Sequence, residues 1–229
     1  MATSKALVWD QTGEREFESG VSKVALFPMD ENGNYGAGVA WSGVTGIDEN
    51  PSGADATDLY ADDIKYATLR SAEKFDFTIS ALQYPDEWGQ CDGSAEAAPG
   101  VYLGQQGRRA FGLVYTTKIG DDTHPGMDKG EKLHIIYNST ASPSSRSYAT
   151  INENPDAITF SWSATSTPAT VTGYKAVSSI VIDSTKVGTG KWDAIQHMVY
   201  GYESTAPSFP DPDLVISTLK TSGSSNPPA

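Results

Sequence analysis

The sequence holds little that could carry chemistry. Cys91 is its one cysteine, so no intrachain disulfide can form, a pattern that fits synthesis in a reducing compartment. The histidines number three (His124, His134 and His197) and stand far apart, so with a single thiol they make a poor zinc-ligand set. No run approaches the ~20 apolar residues that span a bilayer. The opening "MATSKALVWDQTGEREF" has only the run from Ala6 to Trp9, too short for the apolar core of a signal peptide. The expectation is a soluble, intracellular product with no membrane contact. Positive charge is also scarce: 16 Lys and Arg against 29 Asp and Glu give a net charge of −13. That field does not hold a nucleic-acid backbone, which must be neutralised by cations.

Catalytic signatures are missing as well. There is no G-x-S-x-G, no H-E-x-x-H, no G-x-x-x-x-G-K-[ST] and no pair of C-x-x-C motifs. "GVYLGQQG" has glycines without the spacing of a dinucleotide loop, and "DENGNYGAG" lacks the order of a calcium loop and reads as a β-turn. Asp62–Asp63 and Asp121–Asp122 read as solvated loop charge. The expectation is a protein that is not an enzyme and takes no cofactor or metal.

What is present is alternation. A chain of 229 residues can bury roughly 70% of its unfolded surface in one domain. Its 22 glycines and 13 prolines suit many turns between strands. Segment 20–41 reads as two short strands joined by a turn at 30–33, with another strand at 44–47. In "KFDFTISAL", Phe75, Phe77, Ile79 and Ala81 lie on one face, and Lys74, Asp76, Thr78 and Ser80 on the other. In "AITFSWSATST", Ile158, Phe160 and Trp162 point in, while Thr159, Ser161 and Ser163 point out. Strands are also expected at 110–119, 133–138, 175–183 and 214–218. A short helical turn is expected in 84–93, and a helix at 190–201, where Trp192, Ile195, Met198 and Val199 share a side. The predicted fold is mainly β: a two-sheet sandwich or barrel with one flanking helix. Arms at 1–20 and 203–229 flank a body over 21–202.

The first 64 residues carry twelve acids and three bases. Segment 48–68, with Asp48, Glu49, Asp55, Asp58, Asp62 and Asp63, lacks a clean period and contains Pro51 and Gly53, so it reads as a long acidic loop. Arg108 and Arg109 stand at the start of the run through Ile119. On a strand, neighbours point to opposite faces, so the two guanidiniums would diverge. That favours structural or intersubunit pairing over a shared anion site.

Several ordered segments then carry a resemblance. "YPDEWGQCDGS", "GQQGRRAFGLVYTTKIGDDT", "EKLHIIYNSTASPSSRSYATINENPDAITFSWSATSTP" and "GYKAVSSIVIDST" together resemble the major tail protein of long, non-contractile-tailed bacteriophages of Gram-positive hosts. The match runs over about 20–200 and is strongest over 84–185. The resemblance implies a structural virion protein, made and assembled in the host cytoplasm. Its expected partners are its own copies in stacked hexameric rings, a tape-measure protein, and terminator and distal tail proteins. The rings form a tube through which DNA passes without specific binding. It further implies a sheet lining the lumen, for which Lys74, Asp76, Thr78, Ser80, Thr159, Ser161 and Ser163 are the candidates. Arms and a long loop clasp the next ring, which makes Asp48, Glu49, Asp55, Asp58, Asp62 and Asp63 candidate inter-ring contacts, with Arg108 and Arg109 candidates for a seam between neighbouring subunits. From residues alone, a carbohydrate- or cell-surface-binding sandwich and a related ring protein, such as a tail terminator or secretion-tube component, stay open.

Overall fold

The computed structural model describes residues 6–151 and 157–220. The ends of both expected arms, 1–5 and 221–229, and the stretch 152–156 lie outside the described residues. The described chain opens with β1 (Phe17–Pro28), β2 (Val39–Ala40), β3 (Val44–Gly53), β4 (Ala56–Ala61), β5 (Ile64–Arg70) and β6 (Glu73–Ala81), of which β6 shows the clearest alternation of buried and outward residues. A 3-10 turn at Asp86–Trp88 and a single helical turn, α1 (Gly89–Asp92), follow. Next come β7 (Ala95–Ala98), β8 (Val101–Leu103), β9 (Phe111–Gly120), β10 (Gly130–Ala141), β11 (Phe160–Ser166) and β12 (Ser179–Asp183). Two longer helices close the described chain, α2 (Thr189–Tyr200) and α3 (Pro212–Lys220). The expectation of a mainly β fold is met.

The main sheet runs β2-β1-β9-β10-β11-β6-β3, with β12 also paired to β10. Strand β10 divides it. Its residues 132–136 pair with β12, and its residues 139–141 pair with β11. Between them the β9–β10 ladder slips and Asn138 turns left-handed, with φ 42°. Tyr35 steadies the slip: its hydroxyl donates to Asn138 Oδ1 at 2.8 Å and accepts from Asn138 N at 3.0 Å. A bulge of this kind bends a strand and raises its twist. Here it lets one strand serve two layers.

Those layers are a spine (β2, β1, β9, β10 and β12) and a wall (β11, β6 and β3). Spine residues Val24, Leu26, Phe111, Leu113, Tyr115 and Ile136 pack against wall residues Phe77, Ile79, Trp162 and Ala164. Trp88 and Cys91, from the turn after β6, plug the same core. The other face of the spine, including Ala25, Phe27, Val114, Leu133 and Ile135, is roofed by Ile195 and Val199 of α2 and Val215 of α3. The spine is therefore apolar on both faces, and each fully buried Leu, Ile or Phe contributes roughly 1.5–3 kcal/mol.

Three expectations need correction. The acidic segment 48–68 is not a loop: β3 runs on to Gly53, and β4 and β5 form a two-stranded ribbon beyond it. Segment 214–218 is not a strand but the middle of α3, and the described part of the expected C-terminal arm packs on the body through Val215 and Phe209. Arg108 and Arg109 are not on a strand, because β9 begins at Phe111. Strand β1 starts at Phe17, inside the expected N-terminal arm, and β12 starts at Ser179, four residues later than expected.

Candidate functional site

The wall has two unlike faces. Opposite residues of antiparallel strands share a face. Ser161 faces Ser80, Ser163 faces Thr78, and Thr165 faces Asp76. On the far side of β6, Gly46 faces Ser80, Asp48 faces Thr78, Asn50 faces Asp76, and Ser52 faces Lys74. Polar rows thus run across three strands, with no aliphatic or aromatic side chain among them. Thr165 donates to Asp76 Oδ1 at 2.6 Å, a side-chain bond within one row that links β11 to β6. Asp48, Asp76 and Lys74 leave this face one unit negative. The opposite face of the same strands carries Ile47, Ile79 and Trp162 into the core.

The structure brings together six of the seven sequence-derived wall residues: Lys74, Asp76, Thr78, Ser80, Ser161 and Ser163. Thr159 is exposed and precedes β11. Thr165, Asn50 and Ser52 were missed. The first continues the alternation of β11 and could have been read from it. The other two sit in the segment that reads as loop.

The acids of 48–68 go to different places. Asp48 joins the polar wall. Glu49, one residue on, turns under it and accepts the Tyr115 hydroxyl at 2.6 Å. That bond and burial both raise the Tyr115 pKa, burial most. Asp55 lies between β3 and β4, where its carbonyl accepts from Ser71 N. Asp58 is satisfied within the ribbon by Lys65 at 2.7 Å and Thr68 at 2.7 Å. These bonds hold its carboxyl below the usual carboxylate range. Asp62 and Asp63 form the two-residue turn at the ribbon tip, both left-handed with φ 51° and 61°, the geometry of a primed hairpin turn. The ribbon shows Tyr60, Ile64, Tyr66 and Leu69 more than half exposed. Arg109 reaches Glu31 at 3.5 Å, both exposed, and Arg108 lies over Gly93. The two arginines do not converge on one site.

A latch that sequence reading missed holds the base of the N-terminal segment. The Asp121 side chain is 2% exposed and meets Lys129 Nζ at 2.8 Å, Thr123 Oγ1 at 2.7 Å and the His124 backbone N–H at 2.7 Å. Lys129 and Thr123 hold its carboxyl far below the usual range. Lys129 also meets Glu16 at 2.7 Å and the Gly13 carbonyl at 3.1 Å, and Gly13 N donates to Asp122 at 2.8 Å. Beyond the latch, Leu7, Val8 and Trp9 are exposed.

No protein-family model matches this chain, and no curated protein matches it. Among solved structures, a chain of the sheath-tube complex of an extracellular contractile injection system (PVC, extended state) aligns over 70% of this chain and 88% of its own. The identity is 10% and the TM-score 0.30. A likeness that distant carries no argument about function.

Proposed function

We propose that this chain is the subunit of a hollow tube, a structural virion tail protein whose rings stack and let DNA pass without gripping it. The polar wall carries the reading. A three-stranded face of Ser, Thr, Asn and Asp, backed by a buried apolar face, suits a water-filled channel. Duplex DNA carries one charge per roughly 1.7 Å. A wall with two acids and one base offers it no row of cations, and its field fades within about 8 Å at physiological salt.

The edges support the same reading. Among the described residues β3 has no strand on its outer side, and β11 has none beside 160–162. Open edges invite pairing with another chain, and closure into a barrel removes them. Copies joined edge to edge would complete such a barrel; six per ring is the number the sequence resemblance implies. The ribbon supports stacking. It leaves the wall where Gly53 meets Glu73, and its six residue pairs reach roughly 20 Å further. A lone two-stranded ribbon is marginal in water, so its exposed Tyr60, Ile64 and Tyr66 need a partner surface. The next ring supplies one, and the Leu7–Trp9 segment adds a second contact. A tape-measure protein inside and terminator and distal tail proteins at the ends complete the set.

Electron microscopy of the purified chain at rising concentration tests the reading. Long tubes of constant width are expected. Monomers that persist at millimolar concentration would overturn it.

A further inference from the structure

A second site lies at the other end of the wall from the ribbon. Beyond Ala81 and Phe160 a cleft of about 620 Å³ opens between the 84–108 segment and residues 142–146. Its lining has an unusual make-up: aromatic rings, planar polar side chains, serines, glycines and one proline, with no aliphatic side chain. Tyr84 and Tyr102 line it, 37% and 59% exposed. Tyr84 stands edge-on to Phe160 and Trp162, with ring centroids 5.2 and 5.4 Å away, so its ring is held in place.

Two of the polar groups, Asp92 and Arg146, are held in place too. The Asp92 side chain is 5% exposed and accepts Arg146 Nη2 at 2.6 Å and Ser94 Oγ at 2.7 Å. The Arg146 guanidinium lies 5.8 Å from the Tyr84 ring centroid and 5.9 Å from that of Phe160. Arg108 makes no ion pair among the described residues and spreads over Gly93. Gly93 is left-handed at φ 85°, and a Cβ there would sit 3.0 Å from the Arg108 Cζ. Glycine at this position keeps the fork's place clear. Asp86 and Gln105 complete the planar donors and acceptors. Two carboxylates against two guanidiniums leave the cleft neutral.

We propose that this cleft binds a neutral oligosaccharide. Each alternative class lacks its recognition group. A lipid or apolar peptide would need aliphatic walls. A phosphate or acidic polymer would need a net positive site, and Asp86 and Asp92 cancel that. A sugar ring presents weakly positive C–H bonds on one face and a rim of hydroxyls, each both donor and acceptor. The C–H face matches the negative face of a tyrosine ring, whose hydroxyl stays wet. The rim matches Asp92 and Arg146, which hold each other in place and lose little freedom on binding, together with the exposed Asp86, Gln105 and Arg108. The cleft shares no residue with the polar wall face, so this inference does not rest on the tube reading.

The test uses the purified full chain on an array of neutral gluco-, galacto-, manno- and N-acetylhexosamine oligomers, with sialylated and phosphorylated oligomers alongside. Titration calorimetry follows on those retained. Retention of a neutral oligomer is expected, with affinity at least tenfold weaker in Tyr102→Ala and in Arg108→Ala. Both side chains are exposed, so melting temperature should hold steady in both variants, and tube formation in Tyr102→Ala. Three results would overturn the proposal: no neutral oligomer retained, retention that both variants leave unchanged, or a preference for the acidic oligomers. Tubes that still form in any of these cases keep the assembly reading intact.

Discussion

Spine and wall are built from the same pleat and end in different environments. In β9 the run Phe111–Tyr115 is buried residue by residue, because one face meets the wall and the other meets the helices. In β11 burial alternates, with Trp162, Ala164 and Ser166 inside and Ser161, Ser163 and Thr165 outside. Spine positions therefore answer to packing on both sides, and outward wall positions answer only to solvent. The difference separates stability from the proposed function within one sheet: the residues that hold the chain together are not those of the face proposed to line a conduit.

The largest test of that separation is a matched truncation. Leu113→Ala removes a fully buried side chain between spine and wall, and it should cost about 2–5 kcal/mol. Thr78→Ala, on the outward wall, should stay within about 0.5 kcal/mol. Denaturant melts of both variants measure the gap, and equal losses would erase the distinction.

A cheaper probe uses the lone thiol. Cys91 sits in the shared core, where burial, and next Asp92, push its pKa up to about 12. Thiolate is the reactive form, so at pH 8 a thiol reagent should leave the native chain unlabelled and label it fully in denaturant. Rapid native labelling would mean that the layers open.

The latch has its own pH dependence. The Asp121 carboxyl is depressed in the folded chain, by Lys129 first and Thr123 next. A depressed acid adds stability that is fully present above its ordinary value, near 4. That stability fades as pH falls below 4 toward the folded value. Protection of the Gly13 and His124 amides from hydrogen exchange, taken relative to the intrinsic rate at each pH, should therefore be high at pH 6 and fall below pH 4. It should lose this dependence in Asp121→Asn. Protection that ignores both pH and the variant would show the N-terminal segment held by other contacts.

Legibility in the sequence followed the same divide. The wall's β6 and β11 could be read because one wet face writes a period of two, and α2 because its apolar residues keep a helical period. The ribbon could not be read. Both its faces are wet, so β4 and β5 carry no burial pattern, and Pro51, Gly53 and the acids imitate a loop. Its strands are specified by pairing and by the Asp62–Asp63 turn. In α3 two signals competed. The β-branched Val215 and Ile216 favour a strand. Pro212 at the first helical position, and Asp211 accepting the Asp213 N–H at 2.9 Å, mark a helix start and could have decided it. The latch joins residues over 100 apart in sequence, and no local spacing announces such a contact. The cleft likewise depends on 84–108 meeting 142–146.

The smallest structural effect carries the sharpest functional one. Asp76 lies at the centre of the polar wall, with Asn50 on one side and Thr165 on the other, and its contact to Thr165 is solvent-facing. Asp76→Lys gives up that contact and changes the local charge by two units. An outward side chain can turn into solvent, so stability should shift by less than about 1 kcal/mol and tubes should still assemble. Repeated around each ring of the proposed tube, however, the change converts a wall with two acids and one base per copy into one with a single acid and two bases. Each ring then offers DNA a girdle of cations, and phosphate contacts accumulate along the tube. Virions carrying the variant should release DNA more slowly, with the delay shrinking as salt rises and screening shortens. Normal tubes with unchanged release would show that this face lies outside the conduit, while the division between spine and wall would stand on the truncations alone.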